Sequence, residues 1–193
     1  MNKRSFIKLF SGIAAAPVVS PLMKLLPDIK LKNWSGNFEY GTENLYTANS
    51  LQQGRDFVSK QAKLKVLGTR HCFNKIADSN KQFLSMKPAE ELFAVNEQER
   101  IVTVDGNMTY GHLCPLLHEK GFALHNLASL PHISIAGSCS TATHGSGDKN
   151  GNLATAVSAL ELITASGDLI RLSRKNDGET FSGALAGELL FRA

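Results

Sequence analysis

Cysteine is scarce in this sequence, and its spacing excludes two kinds of covalent support. Cys72, Cys114 and Cys139 are odd in number and form no C-x-x-C pair, so neither a disulfide framework nor a structural zinc site is indicated. The G-x-G-x-x-G fingerprint that opens a Rossmann domain is also missing. So is the G-x-S-x-G elbow of a serine hydrolase, because Gly145-Ser146-Gly147 does not supply it. Excess charge is absent from most of the chain. The formal charge is +4, but the surplus sits in Lys3, Arg4, Lys8, Lys24, Lys30 and Lys32, and beyond residue 32 the two signs nearly cancel. No basic stripe is left for a phosphate backbone to follow, which argues against a nucleic-acid partner. No internal repeat is apparent.

What is present is an ordinary globular composition. With 193 residues, 42% hydrophobic and 20% charged, the chain can bury one sizeable core and divide it between two lobes.

Residues 1–27 read as a targeting segment. Lys3, Arg4 and Lys8 make a positive start, and the small, apolar run from Ser11 to Val19 follows; this is a signal-peptide plan, too short to span a bilayer comfortably. The order Lys3-Arg4-Ser5-Phe6-Ile7-Lys8 resembles the twin-arginine export motif, with lysine in the first arginine position. Export to the periplasm is the expectation. The alternative is an uncleaved anchoring N-terminus, the only route by which this chain is expected to contact a membrane.

Beyond the leader, Asn49 to Lys63 carries Leu51, Phe57, Val58 and Ala62 at roughly helical spacing, with Asn49 or Ser50 available as N-cap. Lys63 to Leu67 then alternates as a strand and runs into Gly68. Leu92–Asn96 and Arg100–Asp105 read as two strands joined by Glu97, Gln98, Glu99 and Arg100. Residues 110–120 read as a helix with Leu113, Leu116 and Leu117 inward, provided that Pro115 lies in its first turn; Gly121 ends it. Asn126 to Leu153 is rich in serine, threonine and glycine without regular periodicity, and reads as a buried loop. Ala159–Thr164 and Leu169–Leu172 form a hairpin around Ser166, Gly167 and Asp168. This order predicts an α+β domain with two small sheets, not a long doubly wound sheet.

Two segments carry candidate chemistry. In Gly68-Thr69-Arg70-His71-Cys72-Phe73-Asn74, a strand exits through a glycine, and successive N–H groups in such a turn make a nest for a phosphate; the bland reading is a simple turn with a surface histidine. In Gly137-Ser138-Cys139-Ser140-Thr141-Ala142-Thr143-His144-Gly145-Ser146-Gly147, small residues let backbone approach a diphosphate, while hydroxyls offer neutral hydrogen bonds. A dinucleotide is the natural guest there, and a flexible connector is the alternative.

These residues, with Asn33-Trp34-Ser35-Gly36-Asn37, Ile76-Ala77-Asp78 and the run from Ala128-Ser129-Leu130-Pro131-His132-Ile133-Ser134 to Gly147, carry a resemblance. From about Asn33 to Phe181 the chain resembles the vanillyl-alcohol-oxidase type of flavoprotein, and within it the alditol oxidases and sugar-lactone oxidases. The resemblance implies a PCMH-type FAD-binding domain of two small α/β lobes over residues 33–190. It implies that His71 matches the histidine whose ring nitrogen bonds the 8α-methyl carbon of the flavin. By the same match, Val66, Leu67, Gly68, Thr69, Arg70, His71 and Cys72 would wrap the diphosphate. Ser134, Gly137, Ser138, Cys139, Ser140 and Thr141 would cradle the cofactor, and Ser129 would lie near flavin and substrate. The implied reaction oxidises a CH–OH group of a polyol or aldono-1,4-lactone, with oxygen or another compound as electron acceptor.

Two departures from the family pattern stand out. Cys72 replaces the serine usual after the histidine, and the chain ends at Gly183 to Ala193 where the family continues into further strands and a substrate cap. The expectation is therefore an FAD domain incomplete at its C-terminus with the cap absent. Such a chain is either part of an oxidase or a non-catalytic flavin-binding remnant.

Overall fold

The computed structural model describes residues 30–89 and 91–186. The targeting segment read over residues 1–27 and the last stretch, 187–193, lie outside the described residues. From Leu31 onward the described residues belong to one compact unit.

Strand β1 (Leu45–Ala48) leads into helix α1 (Leu51–Val58), whose N-cap is Ser50: its hydroxyl accepts the Gln53 N–H at 3.2 Å. The helix is shorter than its pattern promised. Only Gly54 and Val58 are buried, and Gly54 lets the helix lie close to the sheet: a Cβ there would come within 3.1 Å of the Met86 sulfur. Strand β2 (Lys65–Val66) and strand β3 (Phe83–Met86) complete a three-stranded parallel sheet in the order β1-β3-β2. The middle strand carries the fully buried Phe83 and Leu84, as a parallel strand covered on both faces should.

Strands β4 (Phe93–Asn96) and β5 (Ile101–Val104) pair antiparallel around a turn in which Arg100 takes a positive φ of 54°. Their alternation is clean. Phe93, Val95, Val102 and Val104 face Met108, Leu113 and Leu117, and the intervening residues point away. Helix α2 (Tyr110–Glu119) starts at the Thr109 cap and buries Leu113 and Leu117, whereas Leu116 is only half-buried. Pro115 does not lie in the first turn, as expected from sequence, but in the second. Both Pro115 and Gly111, whose carbonyl loses its helical partner, are exposed, so water replaces the missing N–H. Gly121 (φ 78°) terminates the helix as foreseen, with the Phe122 N–H returning to the Leu117 carbonyl at 2.9 Å.

The serine-rich stretch is not all loop. Ile135–Ser140 forms a short helix, α3, which the absence of periodicity concealed. Its first N–H groups are satisfied from outside: Ile135 donates to the Met108 carbonyl and Ala136 to that of Gly106. Strands β6 (Ala159–Ile163) and β7 (Leu169–Ser173) make the expected hairpin, and helix α4 (Arg174–Ala186), kinked at Gly178, follows. Phe181 from α4 is fully buried with Tyr110, Ile133, Cys139 and Leu153. The turn of the hairpin seats on α1, where Arg55 Nε donates to the Gly167 carbonyl at 2.7 Å. The α+β class holds, but with three small sheets among the described residues where two were expected. β1 and β3, which sequence reading passed over, build the additional sheet.

Candidate flavin site

The Gly68–Cys72 loop leaves the carboxyl end of β2. Leu67 is anchored below it, buried and donating its N–H to the Leu84 carbonyl at 2.7 Å. Above the anchor, the two candidate segments converge on one buried residue, Ser134. A Cβ on Gly68 would lie 2.9 Å from the Ser134 hydroxyl oxygen, and one on Gly137 would lie 2.7 Å from it. The Ser134 N–H also donates to the Thr69 hydroxyl at 3.2 Å. Both glycines thus leave room for the Ser134 hydroxyl, Gly68 across the two segments and Gly137 within the first turn of α3, a use of glycine distinct from ligand approach.

A cleft of about 510 Å³ opens beside this contact, lined by Trp34, Gly68, Thr69, Arg70, His71 and His132 among others. Its size lies within the roughly 300–1,000 Å³ of small-molecule sites. His71 stands at the meeting point of three rings, with centroids 4.7 Å from Trp34 and 4.6 Å from His132, and these two 5.1 Å from each other. Its Nδ1 is buried without a hydrogen-bond partner. Burial, and secondarily the neighbouring His132, lowers the His71 pKa below its ordinary value of 6.5, so the ring is neutral at pH 7.

The loop is pinned on both sides of His71. Trp34 N–H donates to the Arg70 carbonyl at 2.9 Å, and the Asn33 amide donates to the Cys72 carbonyl at 3.0 Å. Asn33 is buried and also bonds Asn37 and the Phe38 N–H, which explains the Asn33–Asn37 motif as a structural knot. Arg70 takes a positive φ of 63°, and its guanidinium donates to the Lys32 carbonyl at 3.1 Å. Behind the loop, Tyr40 is buried with its hydroxyl unpartnered, and burial pushes its pKa up to about 12. Burial also raises the Cys72 thiol, so it stays protonated and is no nucleophile.

The second segment presents itself differently. Ser138 is buried and donates to the Ile135 carbonyl at 2.8 Å, with the Tyr110 hydroxyl 3.3 Å away; Cys139 is packed into the core. Ser140 donates to the Ala136 carbonyl and Thr141 to that of Gly137. These hydroxyls are committed within the helix, and any ligand there meets mainly backbone and small-residue surface. Ser129 is exposed, in the same segment as His132; Val66 is exposed on its strand and is not part of the cleft wall. Trp34 and His132 stand inside the Asn33–Asn37 and Ala128–Ser134 motifs, yet nothing in their local sequence marks either as part of the site.

Residues 54–173, more than half of the chain, match the family model described as FAD binding domain. The chain belongs to this FAD-binding-domain family. The chain is 39% identical to alditol oxidase of a Streptomyces species over 146 residues, 73% of this chain and 35% of that protein. It is 28% identical to L-gulonolactone oxidase of Bos taurus over 160 residues, 81% of this chain and 36% of that protein. It is also 26% identical to D-arabinono-1,4-lactone oxidase of Saccharomyces cerevisiae over 162 residues, 80% of this chain and 31% of that protein. The chain thus spans about a third of the length of these relatives. The residues in the cleft fit the cofactor: an orphaned imidazole nitrogen, a positive-φ loop and a cleft of suitable volume lie together.

Proposed function

We propose that this chain forms the FAD-binding part of an oxidoreductase that acts on a CH–OH group of a polyol or an aldono-1,4-lactone, with the flavin tethered covalently to His71. The observation that carries the tether is a neutral His71 lining the cleft with an Nδ1 that has no hydrogen-bond partner. When bound, FAD supplies the two-electron acceptor that the oxidation of an alcohol carbon requires, and oxygen or another compound then takes up the electrons. The protein's own part is to hold and orient. The Gly68–Cys72 loop offers backbone N–H groups and the charge of Arg70 to the diphosphate, while Gly137–Thr141 offers close backbone approach, and the family resemblance assigns the exposed Ser129 to the substrate side. The higher identity to alditol oxidase, 39% against 28% for L-gulonolactone oxidase, favours a polyol.

The test of the tether is direct. Denatured protein on an acid-treated gel is expected to show a fluorescent flavin band, and His71→Ala is expected to abolish it; a band that survives the substitution refutes the assignment. A screen of polyols against sugar lactones with the full-length enzyme decides the substrate class. For location, we propose twin-arginine export to the periplasm on the strength of Lys3 to Lys8. Fusion of residues 1–32 to a folded reporter checks this, and retention of the reporter in the cytoplasm rejects it.

A further inference from the structure

The three-ring cluster is held by backbone on every side, which is more than a chance encounter of aromatic surfaces requires. His132 is presented from a segment fixed immediately before and after it: Gly111 N–H donates to the Pro131 carbonyl at 2.6 Å and Tyr110 N–H to the Ile133 carbonyl at 3.2 Å. Trp34 is fixed by its own N–H on the Arg70 carbonyl. Each ring therefore reaches His71 from a separate anchored strand of chain. Two of the three rings face water: Trp34 is 54% exposed and His132 is exposed, while His71 keeps Nδ1 covered.

The hydrogen-bond inventory then selects one form of His71. A charged imidazole carries a proton on both nitrogens, so charging His71 would bury an N–H at Nδ1 with no acceptor, at the cost of an unmade hydrogen bond. The neutral ring with its proton on Nε2 avoids this cost and leaves a bare lone pair on Nδ1. His132 adds to the bias, because a second positive charge at ring-contact distance opposes the first.

We propose that His132 is a positioning residue for His71: with Trp34 it clamps the imidazole in the neutral Nε2–H form and so keeps Nδ1, the nitrogen that would bond the cofactor, unprotonated. This rests on the tether reading given above. Attachment removes one hydrogen from the flavin 8α-methyl group and the proton from Nε2. A C–N bond forms at Nδ1, and the two electrons and two protons pass to dioxygen, giving hydrogen peroxide. Among the described residues, the other ionisable groups around the cluster are few. Arg70 from the same loop has its guanidinium on the Lys32 carbonyl, the Lys32 ammonium pairs with Glu39 at 3.3 Å, and the Cys72 thiol is held neutral by burial. Leu45 and Ser85, from the parallel sheet, bring no charge to the cleft.

The chain contains its own reporter, since Trp34 is its single tryptophan. A protonated imidazole in ring contact quenches indole emission more than a neutral one, so Trp34 fluorescence of the flavin-free 193-residue chain, followed from about pH 8.5 down to about pH 4.5, reads the ionisation of His71 beside it. In wild type, the His71 step is expected below the ordinary value of about 6.5. His132→Gln is expected to raise it by about half a unit or more, through loss of both the like charge and the covering ring. His132→Phe keeps the ring and is expected to raise it less. Because His132 is exposed, neither change opens a cavity. If both variants titrate within about 0.2 units of wild type, the clamp is wrong.

Covalent flavin incorporation supplies the second readout. At pH 7, where His71 stays mostly neutral even after that rise, His132→Gln is expected to slow it roughly tenfold or more through lost orientation of the ring, and His132→Phe to recover most of the rate by restoring the ring contact. An unchanged rate in His132→Gln overturns the positioning role. A coupled fluorescence titration with no attached flavin in wild type overturns the tether and the task assigned to Nδ1, while the clamp itself stands.

Discussion

The two glycine-led segments, Gly68–Asn74 and Gly137–Gly147, look alike as sequence but fold on opposite principles. The first leaves polar groups unsatisfied at a cleft: the Nδ1 of His71 is orphaned, and the Tyr40 hydroxyl behind the loop has no partner. The second spends its polar side chains on itself, with Ser138, Ser140 and Thr141 all donating to carbonyls of the same short helix. Hydroxyls in a small-residue motif are thus not automatically ligand groups. In a helical turn they reach back to the carbonyl three or four residues earlier, and what remains for a ligand is the accessible backbone.

The contrast can be broken most sharply at His71. If its side chain is the chemical one, His71→Ala removes the attached flavin completely, as the gel assay reads. Next comes Gly145→Ala, since a Cβ at that position would collide with the Leu127 carbonyl oxygen and the Asn126 side chain. Backbone cannot rotate away, so a loss of roughly 2–3 kcal/mol is expected in urea unfolding; a change near zero would show the second segment to be a loose connector after all. Ser138→Ala removes a buried hydroxyl with an internal partner and is expected to cost about 1 kcal/mol.

Acid provides a smaller test. The folded pKa of His71 lies below its ordinary value, so the unfolded chain takes up the proton more readily as the pH falls below about 6.5, and the native state loses stability down to the folded pKa. The melting temperature should therefore fall with acidification through that window, and fall less in His71→Ala. Smallest of all, Ser140→Ala and Thr141→Val are expected to leave both stability and flavin affinity almost unchanged, within about 0.5 kcal/mol. A large loss of flavin from either would return those hydroxyls to the ligand.

Much of the local structure was legible in the chain. The alternation at Phe93–Asn96 and Ile101–Val104, the cap at Ser50, the stop at Gly121 and the hairpin around Gly167 are nearest-neighbour effects, and each appears where its residues indicate. β1, β3 and α3 were not legible. β1 and β3 owe their strand state to each other, through parallel pairing across distant sequence. α3 is too short for periodicity to reveal, and it is capped by the carbonyls of Gly106 and Met108. Pro115 was tolerated for a reason that only exposure shows, because the carbonyl it leaves unpaired faces water.

The sequence by itself determined the family and the likeness of His71 to a flavin-bearing histidine, because those reside in the identity and order of contiguous residues. Tertiary structure alone decided what surrounds that histidine. Trp34 and His132 come from segments remote in the chain and meet at His71 only because Asn33, Thr69 and the start of α2 pin the three segments together. Ring contact, burial of Nδ1 and the resulting neutral imidazole are properties of that meeting.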